Sequence, residues 1–444
     1  MKKCLIFWIL IFALFISNSV QARIIHVPAD SSTIQGAVNG TENGDTILMA
    51  PGVYNENVDL DCKALLLASH YLIDHDTMTI DSTIIDGGGG NALSWEGCDC
   101  FPENGRLTVI GFTIRNSFYG VWKFLEWWFD EPKAKSRICH NKFINNYCGA
   151  VNLTYDTCVI DSNLFINNQV GVECYGNVSK YEEKLLPPTC TTIVENNVFL
   201  FNSDFGAVAC GGALQIFRNN IFLRNTCGIV GSYYSSLNAV RNVICNNSVG
   251  VYYEVHLPYQ DSLILENNII ASSDTGIYVW GSVENTRIRY NDVWNNACGN
   301  FIGCPAGSGD TTWGINFNHT RCDSFYNIIR DPLFADTIDF KLLCNSPCID
   351  AGDPSFYVPC DSGGCRIDMG AREYLYVLGD ATGDSTIDIG DVLLVINYLY
   401  KNGPPPCPYH AGDTDCDGVI DLEDVLCLIN YLYKGGPPPG CDPR

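Results

Sequence analysis

Short bursts of alternating apolar and polar residues recur between Gly111 and Gly299. Asn141-Lys142-Phe143-Ile144-Asn145-Asn146 returns as Asn163-Leu164-Phe165-Ile166-Asn167-Asn168, and its first Asn is repeated at Asn197, Asn220, Asn242, Asn268 and Asn291. Five residues further on stands a second polar column: Asn146, Asn168, Asn202, Asn225, Asn247, Ser273 and Asn296. A glycine column follows: Gly149, Gly171, Gly206, Gly228, Gly250, Gly276 and Gly299, with Gly111, Asn116 and Gly120 as an earlier copy. The residues between the columns are mostly β-branched or aromatic and alternate, which predicts short strands. A unit of about 22 residues is too short for a four-stranded propeller blade of roughly 40. Two or three strands and tight turns per unit define a parallel β-helix, in which stacked coils set equivalent residues roughly 4.8 Å apart. Each Asn amide can then bond the Asn above and below, and Asn tolerates left-handed turns. The glycines mark a corner where no side chain fits or where φ is positive.

Ahead of the repeats, Thr33-Ile34-Gln35-Gly36-Ala37-Val38 predicts a short helix over the open end of the core, with Ser31 and Ser32 as candidate caps. Val27-Pro28, Thr33 to Ala37, Gly44-Asp45-Thr46-Ile47, Ala50-Pro51-Gly52-Val53-Tyr54 and Ile84-Ile85-Asp86-Gly87-Gly88 resemble the pectin-lyase-like, right-handed parallel β-helix proteins over residues 24–375. The resemblance implies the fold. It implies no single activity, because that superfamily holds polysaccharide lyases, glycoside hydrolases, epimerases and adhesins. Residues 331–373 resemble the carboxy-terminal end of secreted and surface β-helix proteins and are expected to cap the solenoid end. Asp350, Asp353 and Asp368 are read there as turn formers, with a metal site as the alternative.

Insertions interrupt the repeats after the same glycine corner, and per-repeat insertions map to one face. They carry Trp122, Lys123, Trp127, Trp128, Asp130 and Glu131; Tyr175, Lys180, Tyr181, Glu182, Glu183 and Lys184; Tyr233 and Tyr234; and Tyr252, Tyr253, Glu254, His256 and Asp261. Stacked, the aromatics would form one wall. Sugar rings bury their C–H faces against aromatic rings while their hydroxyls need acids and amides. A polysaccharide groove on Trp122, Trp127, Trp128, Tyr175, Tyr181, Tyr233, Tyr234, Tyr252 and Tyr253 is therefore expected. The alternative is a satellite core that packs the insertions onto the β-helix. Hydrolysis would need two carboxylates from among Asp130, Glu131, Glu182, Glu183, Glu254 and Asp261. Lyase chemistry would need a base and a cation, from among Lys123, Lys180, Lys184 and His256. The acid clusters distinctive of pectate lyases and polygalacturonases are not found, so catalysis stays open.

After Glu373 the pattern changes. Asp380, Thr382, Asp384, Thr386, Asp388 and Asp391 precede the apolar run Val392–Tyr400, and Asp413, Asp415, Asp417, Val419, Asp421 and Asp424 precede Val425–Tyr433, 33 residues later. Oxygens at positions 1, 3, 5, 7, 9 and 12 make EF-hand-type Ca²⁺ loops. Thr382 is neutral, and Ser385 stands where Gly eases the turn, so the first site is expected to be the weaker. These loop–helix units resemble a type I dockerin over residues 379–440. The resemblance implies Ca²⁺ and a cohesin module as partner; Ile389-Gly390 and Leu422-Glu423 occupy the loop positions that help choose it. Cys407 with Cys441, and Cys416 with Cys427, are the bridges considered for this module.

Charge and cysteine narrow the picture. The formal charge of −24 excludes nucleic acid as an expected partner. Residues 1–22 read as a secretory signal: Lys2 and Lys3, an apolar segment too short to span a bilayer, then Val20-Gln21-Ala22. No later run is long enough to cross a membrane. Of 23 cysteines, 22 follow the signal, which predicts disulfides rather than zinc, with bridges between adjacent coils near the glycine corner at Cys148, Cys174, Cys210, Cys227 and Cys298. The expected domains are the signal (1–22), a β-helix (23–373), a linker (374–378) and a dockerin (379–444). The expected protein is a secreted monomer acting on or binding polysaccharide, lyase more than hydrolase. The alternative is a non-catalytic glycan-binding or surface structural β-helix held by its calcium module.

Overall fold

The computed structural model describes residues 22–61, 63–97, 105–125, 135–153, 157–175, 191–211, 214–232, 235–255, 262–356 and 366–440. Residues 1–21 of the signal segment, Trp127, Trp128, Asp130, Glu131, Lys180, Tyr181, Glu182, Glu183, Lys184, Tyr233, Tyr234, His256 and Asp261 lie outside them.

Three parallel sheets wrap one core, as the repeat predicts. Each coil contributes one strand to each, as in Thr157–Asp161, Leu164–Ile166 and Val170–Tyr175. The first sheet has 11 strands, from Ile24–Val27 to Thr286–Arg289. The second runs from Gly52–Asn55 to Asp292–Trp294 and the third from Val58–Asp59 to Gly299–Ile302, each with 10. In register, Phe143, Phe165, Phe199 and Phe222 stack at 4.8, 4.8 and 4.6 Å inside.

That stack explains the glycine corner. A Cβ on Gly171 would sit 2.4 Å from Gly206 O and 2.6 Å from Phe199 Cδ1. The constraint is space; none of Gly120, Gly149, Gly171, Gly206, Gly228, Gly250 and Gly276 has positive φ. The left-handed residues are those just before each ladder position, such as Asn145, Asn167, Asn196, Asn219 and Asn267, and the ladder asparagines themselves keep ordinary φ.

Two amide ladders form. In the first, Asn141, Asn163, Asn197, Asn220, Asn242, Asn268 and Asn291 each donate Nδ2 to the next Oδ1 at 2.9–3.1 Å, ending on Asn327. The second runs from Asn146 through Asn168, Asn202 and Asn225 to Asn247, whose backbone N–H donates to Ser273 Oγ. From Asn163 and Asn168 onward each Oδ1 also accepts the backbone N–H of the preceding ladder residue, and Asn141 and Asn146 accept from Phe112 N and Ser117 N, so these buried amides are saturated.

At the amino end, the helix Ile34–Asn39 buries Ile34, Ala37 and Val38 against the core. Its cap is Thr33, which accepts from Gly36 N, rather than Ser31 or Ser32. At the other end the expectation of a cap is corrected. Cys322, Ile328, Phe340, Leu342, Cys348, Ile349, Ala351, Met369 and Ala371 pack on Ile221, Val243, Cys245, Ile269 and Ala271, the outward residues of the second sheet. The segment runs along the side of the solenoid because those strands are apolar on both faces and need a cover. Asp353 N bonds Asn267 Oδ1 and Gly370 N bonds Asn267 O. Asp353 accepts from Ser355 N, which is turn formation, whereas Asp368 accepts from Asp350 N, 18 residues away, and from Tyr374 N, and so ties the segment together.

Disulfides are present as expected, but the pairings differ. Cys344 is bridged to Cys407, so Cys407 does not pair with Cys441. Cys416 is disulfide-bonded while Cys427 is free, which removes that pairing. Cys148, Cys174, Cys210, Cys227 and Cys298 are free. The register gives the reason: Cys148 stands between Tyr119 and Val170, Cys227 between Phe205 and Val249, and Cys174 opposite Ala209, with Cys210 one residue out of register, its Sγ reaching only the Cys174 carbonyl.

Candidate functional sites: an aromatic face and two acidic loops

Alternation in the third sheet decides which insertion-side residues face out. Trp122, Glu173, Val208, Val230, Tyr252 and Tyr278 share one outward register column. Tyr175 and Trp280 lie two residues further along their strands and are exposed. Tyr175 OH donates to Glu173 Oε1, and Tyr252 meets Tyr278 edge-on at 5.6 Å. Trp122 stacks on Tyr119 at 6.4 Å. At the neighbouring corner Phe118 and Tyr147 are exposed and stacked at 4.6 Å.

Two candidates are removed by the same alternation. Lys123 is 1% exposed and points into the solenoid, its Nζ 2.7 Å from Ser136 Oγ and 5.0 Å from the Trp95 ring centre. Tyr253 is also 1% exposed, with its OH donating to Ser235 O at 2.7 Å. It fits because its neighbour in register, Gly231, has no side chain; a Cβ there would lie 2.5 Å from Tyr253 Cδ2. Neither residue reaches solvent, so neither Lys123 as a catalytic cation nor Tyr253 as a sugar platform is retained. Counting from the glycine corner would have separated them: the second residue after Gly120, and the second and fourth after Gly171, Gly250 and Gly276, face out, and the third faces in. The same count finds Glu173, Tyr278 and Trp280, which sequence reasoning missed.

The middle of this face is closed. Cys148, Val170, Val208, Cys210, Cys227 and Val230 form a buried apolar cluster separate from the solenoid core, with Tyr119, Trp122, Phe205, Val249 and Tyr252 packed at its edge. Burial pushes the Cys227 thiol up to about 12 and those of Cys148 and Cys210 up as well, so these sulfurs stay protonated and are not nucleophiles. Among the described residues, Asp59, Glu173 and Glu254 are outward acids on this sheet, with Asp59 four strand steps from Glu173 at the amino end; the nearest pair is Glu173 and Glu254. They are three strand steps apart, from Val170–Tyr175 to Val249–Glu254. At roughly 4.8 Å per step that is about 14 Å, beyond the ~5–9.5 Å of a glycosidase pair.

The carboxy-terminal loops are near copies. Asp380 accepts from Gly383 N, Asp384 N and Ser385 N; Asp413 accepts from Asp417 N and Gly418 N. Asp391 closes the first loop on Thr382 N and Asp388 N, and Asp424 closes the second on Thr414 N and Asp421 N. Asp388 and Asp421 cap the helices Ile389–Lys401 and Leu422–Lys434. Ser385 adopts φ 73° where Gly418 has φ 90°. In the second loop, oxygens of Asp413, Asp415 and Asp424 lie within 4.8 Å of one another, and burial pushes the Asp424 carboxyl up to about 6. Three converging carboxylates, Asp413 and Asp424 buried and Asp415 exposed, suit a hard cation with oxygen ligands, which is the chemistry of Ca²⁺. In the first loop, Thr382 stands where the second has Asp415. Val392, Val395, Val425 and Leu428 pack the two helices together. Outside that core, Ile389, Leu393 and Tyr400 are exposed on one helix, and Leu422, Leu426 and Tyr433 are their equivalents on the other.

Residues 378–433 match the dockerin type I domain, and residues 180–333 match the family described as periplasmic copper-binding protein (NosD). The molecule is thus a parallel β-helix protein carrying a carboxy-terminal dockerin type I domain. Among solved structures it is similar to an alginate lyase from a Paenibacillus species, at 12% identity and a TM-score of 0.36, covering 60% of this chain and 99% of that one. A pectate lyase matches at 16% identity and a TM-score of 0.32, covering 80% of this chain and 96% of that one. A comparison with curated proteins finds no match. No helix among the described residues is long and apolar enough to cross a membrane.

Proposed function

We propose that this chain is an exported, glycan-directed β-helix anchored through a Ca²⁺-loaded dockerin to a cohesin module. The observation that carries the anchoring is the repeated loop and helix: equivalent acids at a spacing of 33 residues, followed by equivalent exposed apolar residues. Asp380, Thr382, Asp384, Asp388 and Asp391, with the Thr386 carbonyl, would hold one ion. Asp413, Asp415, Asp417, Asp421 and Asp424, with the Val419 carbonyl, would hold the other.

The glycan assignment rests on Trp122, Glu173, Tyr175, Tyr252, Tyr278 and Trp280 on one outer face. Rings for C–H stacking beside a carboxylate for hydroxyls is the chemistry of a sugar surface. Binding is favoured over reaction. The outward acids there are too far apart to act as a pair, and Lys123 is inside the core. A lyase would have to draw its base and cation from Lys180, Lys184 or His256, and a hydrolase its acids from Asp130, Glu131, Glu182, Glu183 or Asp261, all outside the described residues. A screen on neutral and uronate-containing polysaccharides separates the readings. Retained binding without unsaturated products or new reducing ends is expected; product from any polymer would establish an enzyme.

A further inference from the structure

A dockerin on a free linker would swing independently of the β-helix, yet here the joint is closed. Cys344 of the side segment is bridged to Cys407, which follows the first dockerin helix. The linker is held too: Tyr376 OH donates to Asp350 Oδ2 at 2.9 Å, and Gly379 N donates to Ala411 O at 2.8 Å. The most specific contact comes from the turn joining Gly314–Ile315 to Arg321–Cys322. That turn is braced from below, since Asn316 Nδ2 donates to Ala351 O and Asn318 Nδ2 to Ile349 O. Its tip presents Phe317 and His319. His319 Nε2 donates to Gly418 O at 3.1 Å, inside the second acidic loop. Phe317 stacks on His410 at 4.9 Å, with the Arg366 guanidinium 4.7 Å from the Phe317 ring centre. His410 Nδ1 lies 3.7 Å from Asp413 Oδ2, at the first position of the same loop.

Among the described residues, no β-helix side chain is hydrogen-bonded to the first loop. Asp380, Gly383 and Ser385 border a cavity of about 300 Å³ shared with Tyr374, Tyr376 and Pro408. Two loops of nearly equal internal geometry thus sit in different surroundings.

We propose that the Phe317–His319 turn is an intramolecular docking element for the second calcium loop, so that Ca²⁺ there and seating of the module on the β-helix strengthen each other. The turn holds Gly418 and the neighbourhood of Asp413 in the loop conformation before the ion arrives, which removes part of the ordering cost of binding. By linkage, the ion must tighten the seat by the same factor. The Cys344–Cys407 bridge keeps the turn and the loop at high effective concentration, so the seat re-forms whenever the ion returns. The consequence is a module whose two exposed helix stripes are presented at a fixed angle to the aromatic face. The proposal rests on the calcium reading above.

The test is calorimetric titration of the chelator-stripped, oxidised full chain with Ca²⁺. The wild type should show two sites. His319→Ala, and separately Phe317→Ala, should weaken one site by roughly fivefold or more and leave the other unchanged. Equal affinities at both sites in variants and wild type would overturn the coupling while leaving the calcium reading intact. No Ca²⁺ uptake by the wild type would overturn both. Hydrogen exchange of the wild type is the second measurement, and it needs no variant. Chelation should speed exchange of the 316–320 amides as well as those of the second loop; unchanged protection at 316–320 would also contradict the proposal.

Discussion

Asn220 donates its side-chain amide to Asn242 Oδ1 at 3.0 Å, one coil further along the solenoid. The same side chain donates to Val194 O, and its Oδ1 accepts both the backbone N–H and Nδ2 of Asn197. Asn220→Ala removes all four bonds from a fully buried position. The stranded Asn197 and Val194 groups should cost about 3 kcal/mol, read as a fall in urea midpoint at an unchanged m-value.

The glycine corner yields a sharper contrast. A Cβ at Gly171 meets the Gly206 carbonyl and the Phe199 ring, neither of which can retreat without moving the next coil. Gly171→Ala should destabilise by at least about 2 kcal/mol. Gly40→Ala meets nothing closer than 3.6 Å and has φ −88°, so it should change stability by less than about 0.5 kcal/mol. Thermal unfolding of the two variants side by side checks this.

Asp292 predicts a pH dependence. It is fully buried beneath the side segment, accepting from Arg330 N at 3.1 Å and from Cys348 Sγ at 3.3 Å, and burial pushes its carboxyl up to about 8. The folded chain therefore keeps a proton that the unfolded chain releases near pH 4. This contribution is complete below about pH 4 and is lost as pH rises through about 8. Asp292→Asn should gain at least about 1 kcal/mol on the wild type between pH 5 and pH 8. Urea unfolding at the two pH values measures the difference, and parallel curves would refute the assignment.

Chelation should act locally. Asp413 and Asp424 organise their loop by accepting from Asp417 N, Gly418 N, Thr414 N and Asp421 N, but their own charges are close together. Removing Ca²⁺ should loosen residues 378–440 and leave the amide ladders protected. Asp424→Asn should reproduce that effect at one loop. Limited proteolysis with mass readout distinguishes local release from general unfolding.

Much of the architecture was legible because a solenoid writes its spacing into the chain. Asn141, Asn163 and Asn197 recur since each must meet the next, and Gly149 and Gly171 recur since the Phe165 and Phe199 rings leave no room. The dockerin was legible for a similar reason, because calcium loops need acids at set intervals. What the repeat does not encode is less local. Tyr252 and Tyr253 look alike in sequence, and pleat parity alone sends one outward and the other against Gly231. The path of residues 331–373 along the second sheet depends on contacts with Ile221, Val243 and Ile269, over 60 residues earlier. The Cys344–Cys407 bridge joins two modules across 63 residues, so no local spacing announces it.

The most direct test of the glycan assignment is affinity electrophoresis of the Ca²⁺-loaded full chain through a panel of polysaccharides, with Trp122→Ala and Tyr252→Ala beside Tyr253→Phe. Retardation by at least one polymer is expected, reduced roughly tenfold in affinity by either outer-face substitution and unaltered by the buried one. A wild-type chain retarded by no polysaccharide, or variants at Trp122 and Tyr252 that bind as the wild type does, would contradict it.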